Sequence, residues 1–77
     1  MIVLEEVKEI IADNLKIKIS MLSEDTAIGD LPEWDSLHHL QIIAAIEQKY
    51  GFQFEPDVLM DLEDVSDIVN AVTKRIK

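Results

Sequence analysis

Glu33-Trp34-Asp35-Ser36-Leu37-His38-His39-Leu40 is where a long irregular segment gives way to the most strongly apolar helical pattern in the chain. An Asp at an N-cap accepts hydrogen bonds from the unpaired N–H groups of the first helical turn, so Asp35 can cap a helix whose first residue is Ser36. That arrangement frees the Ser36 hydroxyl. A helix N-terminus carries partial positive charge and unpaired donors, so a phosphodiester on that hydroxyl would sit where the backbone favours it. Ser36 is therefore a candidate attachment point for phosphate. A plainer reading stands beside this one: Asp-Ser before an apolar run is ordinary helix-start chemistry, and Ser36 can itself be the cap.

Beyond the cap, the spacing predicts a helix from Ser36 to Tyr50, stopped by Gly51. At about 100° per residue, His39, Ile43, Ile46 and Tyr50 share a face that reads as core, with Ile42 at its margin. Leu37, Leu40 and Ala44 form a second stripe, rotated by about a quarter turn or more. Such a stripe is either a broadening of the core face or an apolar strip kept for a partner. Its place directly after Ser36, with Glu47 on the same side, favours the partner.

Upstream, Val3, Leu4, Val7, Ile10, Ile11 and Leu15 recur at helical spacing and predict a first helix from Ile2 to Leu15. Lys16-Ile17-Lys18-Ile19 alternates like a strand, but no second run of period two exists to pair with it, so it reads as helix exit and loop. From there to Trp34 the breakers Ser20, Ser23, Asp25, Gly29, Asp30 and Pro32 make a long loop. Its scattered Met21, Leu22, Ile28 and Leu31 suggest that it is packed down over the core. Downstream, Phe52, Phe54 and Pro56 lead into a short segment, Asp57 to Leu62, which Val58, Leu59, Met60 and Leu62 should pin to the bundle. A last helix opens on Asp64 as its cap, carries Val65, Ile68, Val69, Val72 and Ile76 inward, and ends in Lys74, Arg75 and Lys77. The expected fold is all-α: a small four-helix bundle of three main helices and one short one, in a single domain spanning residues 1–77.

A chain of 77 residues buries only roughly 60% of its unfolded surface, which leaves a small core and no room for a deep catalytic cleft. The absence of cysteine excludes disulfides, thiol catalysis and thiolate metal sites and fits a reducing compartment. With no cleavable leader and no apolar run of membrane-spanning length, the expectation is a soluble cytoplasmic protein. The charge is uneven: between Ile19 and Thr73, twelve acidic residues face one basic residue, Lys49. Such a surface repels nucleic acid and anionic membranes and steers toward basic patches on proteins, and the net charge of −9 favours a monomer.

Other chemistry is poorly supported. His38 and His39 are adjacent on a helix and point about 100° apart, so they cannot chelate one ion together. His39 reads as a half-buried side chain at the core edge and His38 as a solvated one. Asp35, Ser36 and either His are sequence neighbours and do not converge as a triad requires. No Asp-x-Asp-x-Asp-Gly calcium loop is present. Trp34 reads as a packing residue that anchors the loop end beside Ser36. Catalysis by this chain is not expected.

Asp35-Ser36-Leu37 at the start of the second helix, in an acidic four-helix chain with a long first loop and the run Leu37-x-x-Leu40-x-x-Ile43-x-x-Ile46-Glu47, resembles the carrier protein family over essentially its whole length. That family comprises acyl carrier proteins and their peptidyl and D-alanyl relatives. The resemblance implies that a magnesium-dependent phosphopantetheinyl transferase moves 4′-phosphopantetheine from coenzyme A to Ser36, with Asp35 helping to hold the ion. The arm's thiol then carries an acyl group as a thioester to acyl-transferring, condensing or acyl-activating enzymes. Leu37, Leu40, Ala44 and Glu47 fall where the family meets its enzymes, and Gln41 joins them as a candidate contact. Ile43, Ile46 and Ile68 are the implied acyl-pocket residues.

The sequence departs from the family's pattern in two places. Glu33 and Trp34 replace the usual small residues before Asp-Ser, and His38, His39, Gln41, Gln48 and Lys49 thin the acidic face of the second helix. These departures suggest a discrete, specialised acyl carrier with a dedicated partner rather than a housekeeping role in fatty acid synthesis. A peptidyl or D-alanyl carrier is the near alternative. An unmodified acidic helical interaction module, with Ser36 only a cap, is the alternative of a different class.

Overall fold

A computed structural model describes residues 2–76, so Lys77, one of the three expected terminal cations, lies outside the described residues. The element order is α1 (Ile2–Leu15), a 3₁₀ turn (Ile19–Met21), α2 (Ser36–Tyr50), α3 (Pro56–Leu59) and α4 (Val65–Ile76). The fold is all-α, a small four-helix bundle in which α1 packs against both α2 and α4. Among the described residues no strand forms, and Ala27 and Asp64 make an isolated bridge. No helix among them is long and apolar enough to cross a membrane.

The helix ends follow from local chemistry. Asp64 caps α4, its Oδ1 accepting from the Asp67 N–H at 2.7 Å, while the Asp67 carboxylate accepts from Glu63 N–H and Asp64 N–H. The reciprocal pairing satisfies donors that the first turn leaves open. Helices α1 and α2 both stop through a left-handed residue followed by a bond reaching five residues back. Ile17 N–H donates to the Ala12 carbonyl past Lys16 (φ 58°), and Phe52 N–H donates to the Glu47 carbonyl past Gly51 (φ 75°). Gly51 adopts that conformation without a Cβ penalty, whereas Lys16 carries a strain of about 1 kcal/mol.

The core is formed by Val7, Ile11 and Leu15 of α1, Ile42, Ile43 and Ile46 of α2, Val65, Ile68 and Val72 of α4, and Leu22, Trp34, Phe54 and Leu62 from the connections. Ile42 is fully buried, not marginal, because α2 presents a broad buried arc in which Ile42 and its neighbour Ile43 both take part. The loop between α1 and α2 is laid over the core, as its apolar residues suggested. It is also stitched to the α3–α4 junction by Ile28 N–H to Glu63 O, Val65 N–H to Thr26 O and Ser66 N–H to Glu24 O. Met21, though apolar, stays 48% exposed on the 3₁₀ turn.

The short third helix differs from expectation in extent and in what fastens it. It spans Pro56–Leu59, with Pro56 in its first turn, where a missing N–H costs nothing. A single turn offers only one inward side. Leu62 is buried and Val58 partly so, but Leu59 is exposed and Met60 is 80% exposed.

Candidate functional site

Asp35 has extended backbone geometry, and its Oδ1 accepts from the His38 N–H at 2.9 Å, so it is the N-cap of α2. Ser36 follows as the first helical residue and is exposed. Its hydroxyl is thus relieved of capping and placed at the positive end of a 15-residue helix. His38 is not simply solvated: its Nδ1–H donates to the same Asp35 Oδ1 at 2.8 Å. The backbone N–H of His38, and after it the imidazole, hold the Asp35 carboxyl below the usual carboxylate range. Asp35 is therefore ionised and oriented beside Ser36.

A second network fixes the approach to this helix. The Trp34 indole is fully buried, and its Nε1–H donates to His39 Nδ1 at 2.9 Å. An indole N–H can only donate, so Nδ1 is the acceptor and the His39 ring proton lies on Nε2. That proton is donated to the Leu62 carbonyl at 2.9 Å. His39 thereby joins the loop end, the first turn of α2 and the segment leaving α3. The two rings also stack, with centroids 5.9 Å apart.

The residues expected to face partners divide. Leu37 and Leu40 are 63% and 68% exposed, and Gln41 and Ala44 are exposed beside them. Leu37, Leu40 and Ala44 thus form an outward apolar strip running down α2 from Ser36, the second of the two arrangements open from the pattern. Glu47 is half-buried, and its Oε2 accepts from the Phe54 N–H at 2.8 Å, so it braces the connection to α3 as well as contributing charge. Ile43, Ile46 and Ile68 are all packed into the core.

His38 and the Trp34–His39–Leu62 chain were missed as working parts of the site. The spacing between Asp35 and His38 was a usable signal, because the third residue after an N-cap is where a side chain reaches back.

The family model described as phosphopantetheine attachment site matches residues 5–72. The chain belongs to the acyl carrier protein family. It is 29% identical over 75 residues to an acyl carrier protein of Solidesulfovibrio magneticus, covering 97% of this chain and 96% of that one. Similarity to an acyl carrier protein of Clostridium acetobutylicum is 30% identity over 70 residues, covering 91% of each chain. Among solved structures, the holo acyl carrier protein of Geobacter metallireducens superposes with a TM-score of 0.86 at 28% identity, covering 99% of this chain and 87% of that one. The holo acyl carrier protein of Nitrosomonas europaea gives 0.82 at 25% identity, covering 99% and 98%. Members of this family are carriers rather than enzymes. They work with a covalent 4′-phosphopantetheine and with the transferase and acyl-handling enzymes that load and use it.

Proposed function

We propose that this acyl carrier receives its 4′-phosphopantetheine on Ser36 and that Asp35 contributes to the magnesium site used during transfer. The observation that carries the reading is the division of labour at the start of α2, where Asp35 takes the capping role and leaves the exposed Ser36 hydroxyl at the helix's positive end. The residues present suit the group. A phosphodiester on Ser36 would face the open N-terminal donors of α2, and the ionised Asp35 oxygens are hard donors of the kind magnesium takes. One carboxylate is not a cage, and magnesium is usually held by one or two carboxylates together with substrate phosphates, so the transferase and coenzyme A would complete the site. When attached, the group supplies a thiol at the end of a flexible arm, on which an acyl group rides as a thioester.

The exposed strip Leu37, Leu40 and Ala44, with Gln41 beside it and Glu47 at its lower end, is the surface we assign to the transferase and to acyl-transferring, condensing or acyl-activating enzymes with basic patches. The net charge of −9 supports docking to such patches and argues for a monomer that avoids nucleic acid and membranes. The Trp34–His39 clamp and the thinned acidity of α2 support a specialised carrier with a dedicated partner. Intact mass after incubation with coenzyme A, magnesium and a broad-specificity phosphopantetheinyl transferase tests the reading. The expected result is a gain of one phosphopantetheine that is absent from Ser36→Ala. No gain with several transferases would overturn it.

A further inference from the structure

Two donors meet one oxygen at the start of α2. The backbone N–H of His38 and its ring Nδ1–H both end on Asp35 Oδ1, at 2.9 and 2.8 Å. Among the described residues no hydrogen bond reaches Asp35 Oδ2, and the Asp35 side chain is 57% exposed. One carboxylate oxygen is thus filled from within the chain, while the other is open to solvent beside the exposed Ser36.

The backbone bond alone makes the helix cap. The ring bond satisfies none of the open backbone donors of the first turn, because it comes from a side chain. A charged pair this exposed also adds little to stability. What the ring supplies is direction. A carboxylate held by one hydrogen bond swings about its Cβ–Cγ bond, and a second donor reaching the same oxygen from another side fixes its plane.

Direction matters because Asp35 has no substitute nearby: the first turn of α2 contains no acidic residue. Magnesium demands near-octahedral geometry and is commonly held by one or two carboxylates with substrate phosphates. One well-aimed oxygen is enough for Asp35 to contribute, so filling Oδ1 takes nothing from the metal and leaves Oδ2 as its ligand. Hydrogen bonds to a ligating carboxylate orient it, and their loss typically costs about tenfold or more in metal affinity or activity.

We propose that His38 is a positioning residue for phosphopantetheine transfer, filling Oδ1 of Asp35 so that Oδ2 is the oxygen presented to magnesium. The inference rests on Asp35 serving the metal site during transfer to Ser36. In this role His38 acts only through Asp35. A residue at 38 without a side-chain donor keeps the cap and loses the aim.

The test measures initial rates of transfer to the full chain against magnesium concentration, with coenzyme A and a broad-specificity phosphopantetheinyl transferase. The parent is compared with His38→Ala and with His38→Asn, which keeps a donor near the place of Nδ1; both variants retain the backbone cap. For His38→Ala, the magnesium concentration giving half the maximal rate should rise about tenfold while the rate at saturating magnesium is unchanged. His38→Asn should return it toward the parent. A second readout involves no turnover: manganese binding is followed by electron paramagnetic resonance in mixtures of transferase, coenzyme A and chain carrying Ser36→Ala. Adding His38→Ala should weaken binding to a similar degree, and adding it to a chain that also carries Asp35→Asn should weaken it no further. Equal metal dependence in the parent and His38→Ala, or a loss that persists in the Asp35→Asn background, would overturn the role of His38. Metal dependence unchanged by Asp35→Asn would overturn the magnesium reading beneath it and this proposal together. A parent that gains no phosphopantetheine at any magnesium concentration would instead overturn the carrier reading.

Discussion

The carboxyl of Asp35 and the hydroxyl of Tyr50 are both held away from their ordinary acidities, for opposite reasons. Asp35 is hydrogen-bonded in its charged form by His38, so its folded value lies below the ordinary 3.8. The stabilisation is therefore fully present above the unfolded value and is lost as pH falls through the folded one. Asp35→Asn should be less stable than the parent at neutral pH, and the difference should fade as pH falls below the ordinary value of 3.8 and through the lower folded one, as thermal melts across pH would register. Tyr50 is pushed above the usual phenol range, first by burial and then by its 2.6 Å hydrogen bond to the Glu6 carboxylate. Here the contribution is present below the unfolded value and is lost as pH rises beyond it. Because Tyr50 is the only tyrosine, tyrosinate absorbance reports it alone. Its titration should begin well above pH 10, and Glu6→Gln should bring it down.

At the scale of elements, the joint between the loop, α2 and α3 depends on one neutral imidazole. His39→Ala leaves the buried Trp34 N–H and the Leu62 carbonyl without partners, at a cost of about 2 kcal/mol in denaturant unfolding. Trp34 is the single tryptophan, so its emission should shift to the red in that variant. How much of this was legible in the sequence depended on how local the interaction is. Asp35, Gly51 and Asp64 announce helix ends through chemistry within four residues of themselves, and the bounds of α1 and α2 follow from apolar period and caps. The Trp34–His39 bond spans five residues and the His39–Leu62 bond 23, and no periodicity encodes either. Apolar composition alone points Met60 inward, whereas residues 56–62 have too little inward surface to bury Val58, Leu59, Met60 and Leu62 together.

For the whole molecule, the balance is between a closed core and an open α2 face. Leu40→Asp should leave stability within about 0.5 kcal/mol, because the side chain is already 68% exposed, yet slow phosphopantetheine transfer at least several-fold. Glu47 needs a gentler substitution, since charge reversal would also disturb its bond to the Phe54 N–H. Glu47→Gln keeps an acceptor there and removes the charge. It should slow partner association at low salt and converge with the parent at high salt, whereas equal rates at every salt concentration would remove Glu47 from the electrostatic contact.

If Ser36 bears the arm, loss of loading in Ser36→Ala alone would not separate a missing acceptor from a spoiled recognition surface. Tryptic cleavage after Lys18 and Lys49 releases residues 19–49, which contain Ser20, Ser23, Thr26 and Ser36 together. Fragmentation of this peptide from the loaded protein locates the modification directly. The expected result is phosphopantetheine on Ser36 alone; phosphopantetheine on Ser20, Ser23 or Thr26, or a peptide 19–49 left unmodified in protein that has gained the mass, would rule out Ser36 as the attachment point.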